Sequence, residues 1–241
     1  MEHFSWFTLL GLNEHYDPVV GAILVLLFLT FAGYKIKKNL AEKEEAALPD
    51  EKFTMRTIFE ILTIDFLLDL FTNMMGSRDK AMRYFPLLGA LFFFILFANL
   101  LGLIPGFLPP TGNYNVPVAC AIVVFIMYNY YGFKENGISY LKHFAGPVIF
   151  LAPLMFVIEI ISHLVRPVSL SLRLFMNMTG DHLILGVFTN LTHFIIPAIF
   201  LALGIFVAFL QAFIFTVLSA IYIALATAHE HGSHEHGSHS H

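Results

Sequence analysis

The sequence predicts an all-α integral membrane protein: five membrane-spanning helices, one amphipathic cytoplasmic interfacial helix, and a long tilted hairpin made by the last two spans. Three observations predict it. The first is composition. Of 241 residues, 58% are hydrophobic and 12% charged, with a mean hydropathy of +0.76, whereas a soluble domain is charged over about 25% of its residues. That excludes a soluble globular enzyme and a disordered chain. The net charge of −4, from 13 basic and 17 acidic residues, leaves no surplus of positive charge to seek phosphate, so a nucleic-acid binder is excluded too. The second is a set of five long apolar runs. The third is charge placement, because the basic residues outside those runs all fall on one side of an alternating topology.

Residues 18–34 form the first span, since roughly 20 apolar residues cross ~30 Å of hydrocarbon. Tyr16 and Tyr34 supply its interfacial ends. The preceding segment carries Glu2, Glu14 and Asp17 but no Lys or Arg. It therefore lacks the basic flank of a secretory signal, and the run is expected to be a true span. Residues 54–75 are apolar yet interrupted by Arg56, Glu60, Asp65, Asp69 and Asn73 at spacings of four and five, which leaves Ile58, Ile61, Leu62, Leu68 and Phe71 for the other side. That pattern predicts a helix lying on the cytoplasmic membrane surface, entered through Pro49-Asp50, as a partner-docking face or as a plain interfacial helix.

Residues 84–103 form the second span, closed by Ile104-Pro105-Gly106 and then Pro109-Pro110. Residues 116–131 form the third, between the Gly112-Asn113 turn and Gly132. Residues 147–191 are too long for one upright helix, reaching about 67 Å at 1.5 Å per residue. They must tilt steeply, bend or break. Residues 197–227 would reach about 46 Å as a helix, so the two runs are expected to pair as the tilted hairpin. Residues 228–241 read as a disordered cytoplasmic tail, in which His-Glu-His-Gly-Ser repeats. The tail has His-Glu-x-x-x-His rather than the zincin spacing His-Glu-x-x-His, so loose metal binding or proton buffering is the alternative to plain disorder. Cys120 is the one cysteine and sits in an apolar run, so no disulfide forms within the chain and no cysteine metal site exists. No cofactor and no metal site is expected.

Charge placement sets the sides. Lys35, Lys37, Lys38, Lys43, Lys52, Arg56, Arg78, Lys80 and Arg83 lie between the first two spans, and Lys134 and Lys142 between the third and fourth. The connection from Leu103 to Val116 carries no charge. The positive-inside rule then puts the N-terminus outside and the C-terminus in the cytoplasm.

Charges at membrane depth are costly and face a partner or a water-filled path. The fourth run holds Glu159, Ser162, His163, Arg166, Ser169, Arg173, Asn177, Asp181 and His182. On a wheel of about 100° per residue, Glu159, Ser162, Arg166, Ser169 and Asn177 all lie within about 40° of Arg173. Gly180 falls on the same stripe. Asp181 and His163 stand at about +80°, and His182 points the opposite way. Paired polar residues can simply glue helices together, and Glu159 with Arg166, seven apart, can form an internal ion pair. Arg173 differs, because positions 169, 170, 176 and 177 are Ser, Leu, Met and Asn. It needs a carboxylate from another helix or another protein, or water. The last span offers a thinner matching face, with Gly204 and Tyr222 both about 20° from Gln211. The two stripes face each other or a third partner.

The run Pro167-Val168-Ser169-Leu170-Ser171-Leu172-Arg173-Leu174-Phe175-Met176-Asn177-Met178 resembles the signature of subunit a of the F-type ATP synthase membrane sector. Supporting pieces stand in the right order: Ala98-Asn99-Leu100-Leu101-Gly102-Leu103-Ile104-Pro105-Gly106, then Pro109-Pro110-Thr111, then Leu210-Gln211-Ala212-Phe213-Ile214-Phe215. The similarity runs from about Arg78 to Thr227. Members commonly carry Gly where Met176 stands and often Glu where His182 stands.

The resemblance implies a proton-translocating stator without catalysis of its own, beside a rotating ring of c subunits that each bear an essential carboxylate. Its partners would be that ring, the peripheral-stalk b subunits and the lipid bilayer. It would take no nucleic acid and no small-molecule substrate other than the transported H+ or Na+. Arg173 matches the family's essential arginine. A permanently charged guanidinium favours the ionised ring carboxylate passing it and repels protons, which separates two offset aqueous half-channels. Glu159, Ser162, His163 and Arg166 would lie on the cytoplasmic side of Arg173, with Ser169 on the same stripe. Asn177, Asp181, His182 and Gln211 would lie on the outer side, joined by Asn99. The expected location is a bacterial plasma membrane. A self-contained transporter is disfavoured because no inverted repeat is visible. An intramembrane metalloenzyme is disfavoured because His143, His163, His182 and His193 include no pair at helical ligand spacing.

Overall fold

The computed structural model describes residues 17–41, 66–104, 106–137, 152–191 and 195–227. Most of the expected interfacial helix, at 54–65, and the whole histidine tail lie outside these. Helices joined by short turns make up the described chain: α1 (Asp17–Ala41), the short α2 (Asp69–Met75), α3 (Arg78–Leu101), a 3-10 turn (Pro110–Gly112), α4 (Asn115–Asn136), α5 (Ala152–Leu191) and α6 (Ile195–Thr227). Five of these helices are long and apolar enough to cross a membrane, as the composition predicts.

Three helices, α1, α3 and α4, outrun the apolar runs that announce them at the end that carries Lys or Arg. α3 begins at Arg78, after an extended Ser77, and its last residue is Leu101. α4 extends to Asn136, where Gly137 takes a positive φ of 53°. A run of apolar residues marks the hydrocarbon slab, while backbone hydrogen bonds continue into water until a capping conformation ends them.

α6 is the centre of the bundle and touches α2, α3, α4 and α5. Its sequence shows why it can. Gly204, Ala208, Ala212, Thr216 and Ala220 recur every four residues and are all buried, so one face lets neighbouring backbones approach closely. α3 packs there through Tyr84, Leu88, Leu91, Phe92, Ile95 and Ala98, all buried at a three-and-four spacing. Ring contacts fill the seam, including Phe92 edge-on to Phe209 at 5.9 Å. α1 is the peripheral span, packed on α3 and the 3-10 turn, with Val19, Ile23, Leu27, Phe28 and Phe31 exposed. The described end of the amphipathic stretch keeps its predicted sides: Asp69 and Asn73 are exposed, and Leu68 and Phe71 are buried. That apolar side meets α3 and α6.

Polar groups tie the bundle at both ends. At one, Tyr84 and Arg83 on α3 both donate to Glu135 Oε1 of α4, at 2.5 and 3.2 Å, while Asn136 donates to the Ala226 carbonyl of α6 at 2.8 Å. At the other, the chain reverses through turns at Gly102 and Gly112. A side chain at Gly102 would overlap the Cα and Cβ of Pro109, so Gly102→Ala forces backbone apart. A loss of about 1–3 kcal/mol is expected, typical of overpacking. It should lower the thermal midpoint of the purified protein, and an unchanged midpoint would show that the turn relaxes freely.

Candidate functional site: a polar flank and a cavity on the long helix

α5 runs unbroken through Pro167 for 40 residues, about 60 Å at 1.5 Å per residue. That is twice the ~30 Å hydrocarbon thickness, and the helix reaches it without a break. Pro167 has no N–H to offer the His163 carbonyl. Nearby, the Ser169 and Ser171 hydroxyls donate to the Arg166 and Val168 carbonyls at 3.1 and 3.0 Å.

Burial divides α5 lengthwise. His163, Leu170, Ser171, Leu174 and Met178 are buried against the bundle, and Leu164, Val165, Val168, Leu172 and Met176 are exposed opposite. The polar stripe runs along the border between these faces. Glu159, Arg166, Ser169 and Asn177 are half-buried, and Ser162 and Arg173 are exposed. The exposed members of the stripe, Ser162 and Arg173, are therefore turned toward the outside of the bundle.

Its charged members differ in what holds them. Arg166 Nη2 stands 4.0 Å from Glu159 Oε1, the anticipated internal ion pair. The Arg166 guanidinium also lies over the Tyr222 ring of α6, 5.3 Å from its centroid. Arg173 has no such support. Among the described residues no carboxylate lies within ion-pair distance of it. It sits in the middle of the apolar stretch Pro153–Phe188, beside Leu172 and Met176, which are 38% and 61% exposed.

His163 faces inward. Its Nε2 is 2.9 Å from Asn129 Oδ1, and Phe125 and Tyr128 of α4 close around the ring at 5.3 and 5.0 Å. The Asn129 amide nitrogen donates to the Phe125 carbonyl at 2.7 Å. Its Oδ1 is thus the acceptor, and the imidazole Nε2 carries the proton. His163 joins α4 to α5, a contact that no pattern within its own helix reveals.

Toward the far end of α5 a cavity opens between α3, α5 and α6. Asn99, Leu103, Asp181, His182, Gly204 and Ala208 are among the residues that line it. It offers about 50 Å³ to the centres of water molecules. One water needs roughly 10–15 Å³ by that measure, so the space holds a few. Asp181 and His182 border the same cavity. The wheel sends them to different sides because it measures both from Arg173, whereas the cavity lies at an azimuth between them. Asp181 Oδ2 is buried without a hydrogen-bond partner among the described residues. Gly204 lets the Leu103 side chain pack closely at the cavity wall, since a Cβ there would come within 2.7 Å of Leu103 Cδ2. Asn99, 2% exposed, accepts from the Thr111 hydroxyl at 2.7 Å and donates to the Ala208 carbonyl at 3.3 Å. It pins the 3-10 turn and α6 together at the cavity wall. Thr111 is the member of this site that sequence reasoning missed, since its hydroxyl meets Asn99 only after the chain reverses. Gln211 is buried on α6. Among the described residues no group of three metal-ligating side chains occurs.

The profile described as ATP synthase A chain matches residues 18–224. A protein from Bdellovibrio bacteriovorus named "ATP synthase subunit a" is 46% identical over 230 residues, covering 95% of this chain and 99% of the relative. One of the same name from Sorangium cellulosum is 42% identical over 211 residues, covering 88% and 82%. "ATP synthase subunit a 1" of Pelobacter propionicus is 53% identical over 163 residues, covering 68% and 70%.

Proposed function

The chain belongs to the ATP synthase A chain family, and we propose that it is the ion-conducting stator of the membrane sector, with Arg173 facing the carboxylates of a rotating c ring. It is a multi-pass membrane protein of an ATP-synthesising, ion-transporting machine. The finer reading is carried by one observation: an exposed arginine in mid-span on the outer border of α5, unpaired among the described residues. Left to lipid, an arginine at that depth costs at least about 2.5–3.5 kcal/mol. A carboxylate brought to it from another protein removes that cost, and the ionised form of that carboxylate is stabilised in return.

The two half-channels lie on either side of Arg173. The cavity bounded by Asp181, His182, Asn99 and Gly204 is the inner end of the outer path, with Asn177 and Gln211 leading on toward the ring. Asp181 and His182 pass protons through its waters, and Asn99 holds the wall. On the cytoplasmic side Ser162, Ser169 and Glu159 line the exposed border of α5, and His163 secures the helix beside them. Because Arg173 stays charged, a proton cannot pass directly from one path to the other and must travel on the ring. The chain itself performs no bond chemistry. Its place is the bacterial plasma membrane, N-terminus outside and C-terminus in the cytoplasm, against the ring, the peripheral-stalk b subunits and lipid.

Cross-linking tests the contact. Cys120 is buried, so a cysteine introduced as Met176→Cys, on the exposed face one turn from Arg173, is the reactive one. In membranes holding the whole complex it should form disulfides with cysteines placed near the ring carboxylate. Failure with every ring position, alongside efficient cross-linking to another subunit, would overturn the reading.

A further inference from the structure

Three charges stand in one column on α5. Glu159, Arg166 and Arg173 are seven residues apart, so they repeat at about 10.5 Å along the helix with a drift of only about 20° per step. A carboxylate gliding along this flank would meet two cations, not one. Two equal cations would make a poor stator, because the second would hold the passing carboxylate as firmly as the first.

The structure treats the two unequally. Arg166 is engaged twice, by Glu159 Oε1 at 4.0 Å and by the Tyr222 ring at 5.3 Å. Its side chain is 26% exposed and that of Glu159 is 35% exposed. The anion cancels the charge, and the aromatic face fixes the planar guanidinium against α6. Arg173, turned outward, has neither among the described residues.

We propose that Glu159 and Tyr222 form a clamp that neutralises and immobilises Arg166, leaving Arg173 as the one of these two arginines open to a passing carboxylate. The proposal rests on the reading of Arg173 as the ring-facing charge. In the clamp Glu159 and Tyr222 are positioning residues that act through Arg166, whatever else Glu159 does as part of the cytoplasmic border of α5. The clamp joins α5 to α6, so it also sets how far the cytoplasmic half of α5 leans outward.

The test is charge rescue in the complete complex. ATP-driven proton pumping is measured in inverted membrane vesicles, with subunit content checked on the same membranes. Glu159→Gln frees Arg166 and should slow pumping roughly tenfold, the scale of a guanidinium–carboxylate contact in a poorly screened site. Adding Arg166→Gln should recover most of that loss, because the trap is gone along with its guard. Tyr222→Phe, which keeps the aromatic face, should lose much less than Tyr222→Leu. A Glu159→Gln defect that Arg166→Gln fails to relieve would overturn the clamp and leave Glu159 acting on the cytoplasmic path alone. No defect in Glu159→Gln, or equal defects in Tyr222→Phe and Tyr222→Leu, would also overturn it. Pumping that persists in Arg173→Ala would instead defeat the reading beneath it, independently of these outcomes.

Discussion

Replacing Arg173 with Ala is expected to abolish coupled ATP synthesis and ATP-driven proton pumping while the complex still assembles. The side chain is exposed, and among the described residues it makes no ion pair, so its removal opens no cavity in the bundle and strands no described partner within the chain. What disappears is the fixed charge that favours the ionised ring carboxylate and bars protons from crossing between the half-channels. Loss of one preorganised charge of this kind costs about a hundredfold or more in rate. Arg173→Lys should also fall far below the parent. Its ammonium can lose a proton when poorly solvated, and it presents a point charge where the guanidinium presents a planar fork. The measurement is pumping in inverted vesicles normalised to assembled complex. Near-parental pumping in Arg173→Ala would rule out a stator that works through this charge.

The second large effect is expected at the cavity. Asp181 Oδ2 is buried without a partner among the described residues, and a carboxylate oxygen in that state must be solvated by water or protonated. Both needs are met in a space that admits a few waters and has an imidazole on its wall. Asp181→Asn keeps shape and removes the titrating group. His182→Ala removes the second. Passive proton flux through the membrane sector without its catalytic head should fall in each, and by roughly tenfold or more in the double variant, the lower range for a lost proton-transfer group. Coupling should survive, because Arg173 still blocks the direct route. Asp181→Asn should be the more severe single change, since its oxygen is the one left to water. Unchanged flux in the double variant would place both side chains off the ion path and leave them as packing residues.

How much of this is legible in the sequence depends on what a helical wheel can and cannot encode. The composition and the apolar runs settle five helices of spanning length, and the stripe through Arg173 survives intact as the border of α5. The Glu159–Arg166 pair is legible because both partners lie on one helix, two turns apart. Contacts between helices are not. Nothing in the α5 sequence tells that Asn129 awaits His163, or that Tyr222 lies beneath Arg166, because the azimuth of a side chain does not name its neighbour. The same limit hides the cavity: the directions of His182 and Asp181 relative to Arg173 are sound, but only the packed helices show that one space lies in the sector between them. The Arg83–Tyr84–Glu135 cluster is hidden for another reason: its members look like ordinary charges at span ends until α3 and α4 bring them together. The length of the 147–191 run leaves tilt, a bend and a break open; over the described residues 152–191 the helix continues through Pro167, with the Ser169 and Ser171 hydroxyls bonded to backbone carbonyls alongside.

The stator mechanism stands or falls on what Arg173 faces. An electron cryomicroscopy structure of the assembled membrane sector measures it as the distance from the Arg173 guanidinium to the nearest carboxylate of any neighbouring chain. A ring carboxylate is expected within direct or single-water hydrogen-bonding reach at the level of Arg173, with Arg166 still held by Glu159 and Tyr222. An Arg173 directed into lipid, or paired with a carboxylate of a stationary subunit, would refute the mechanism.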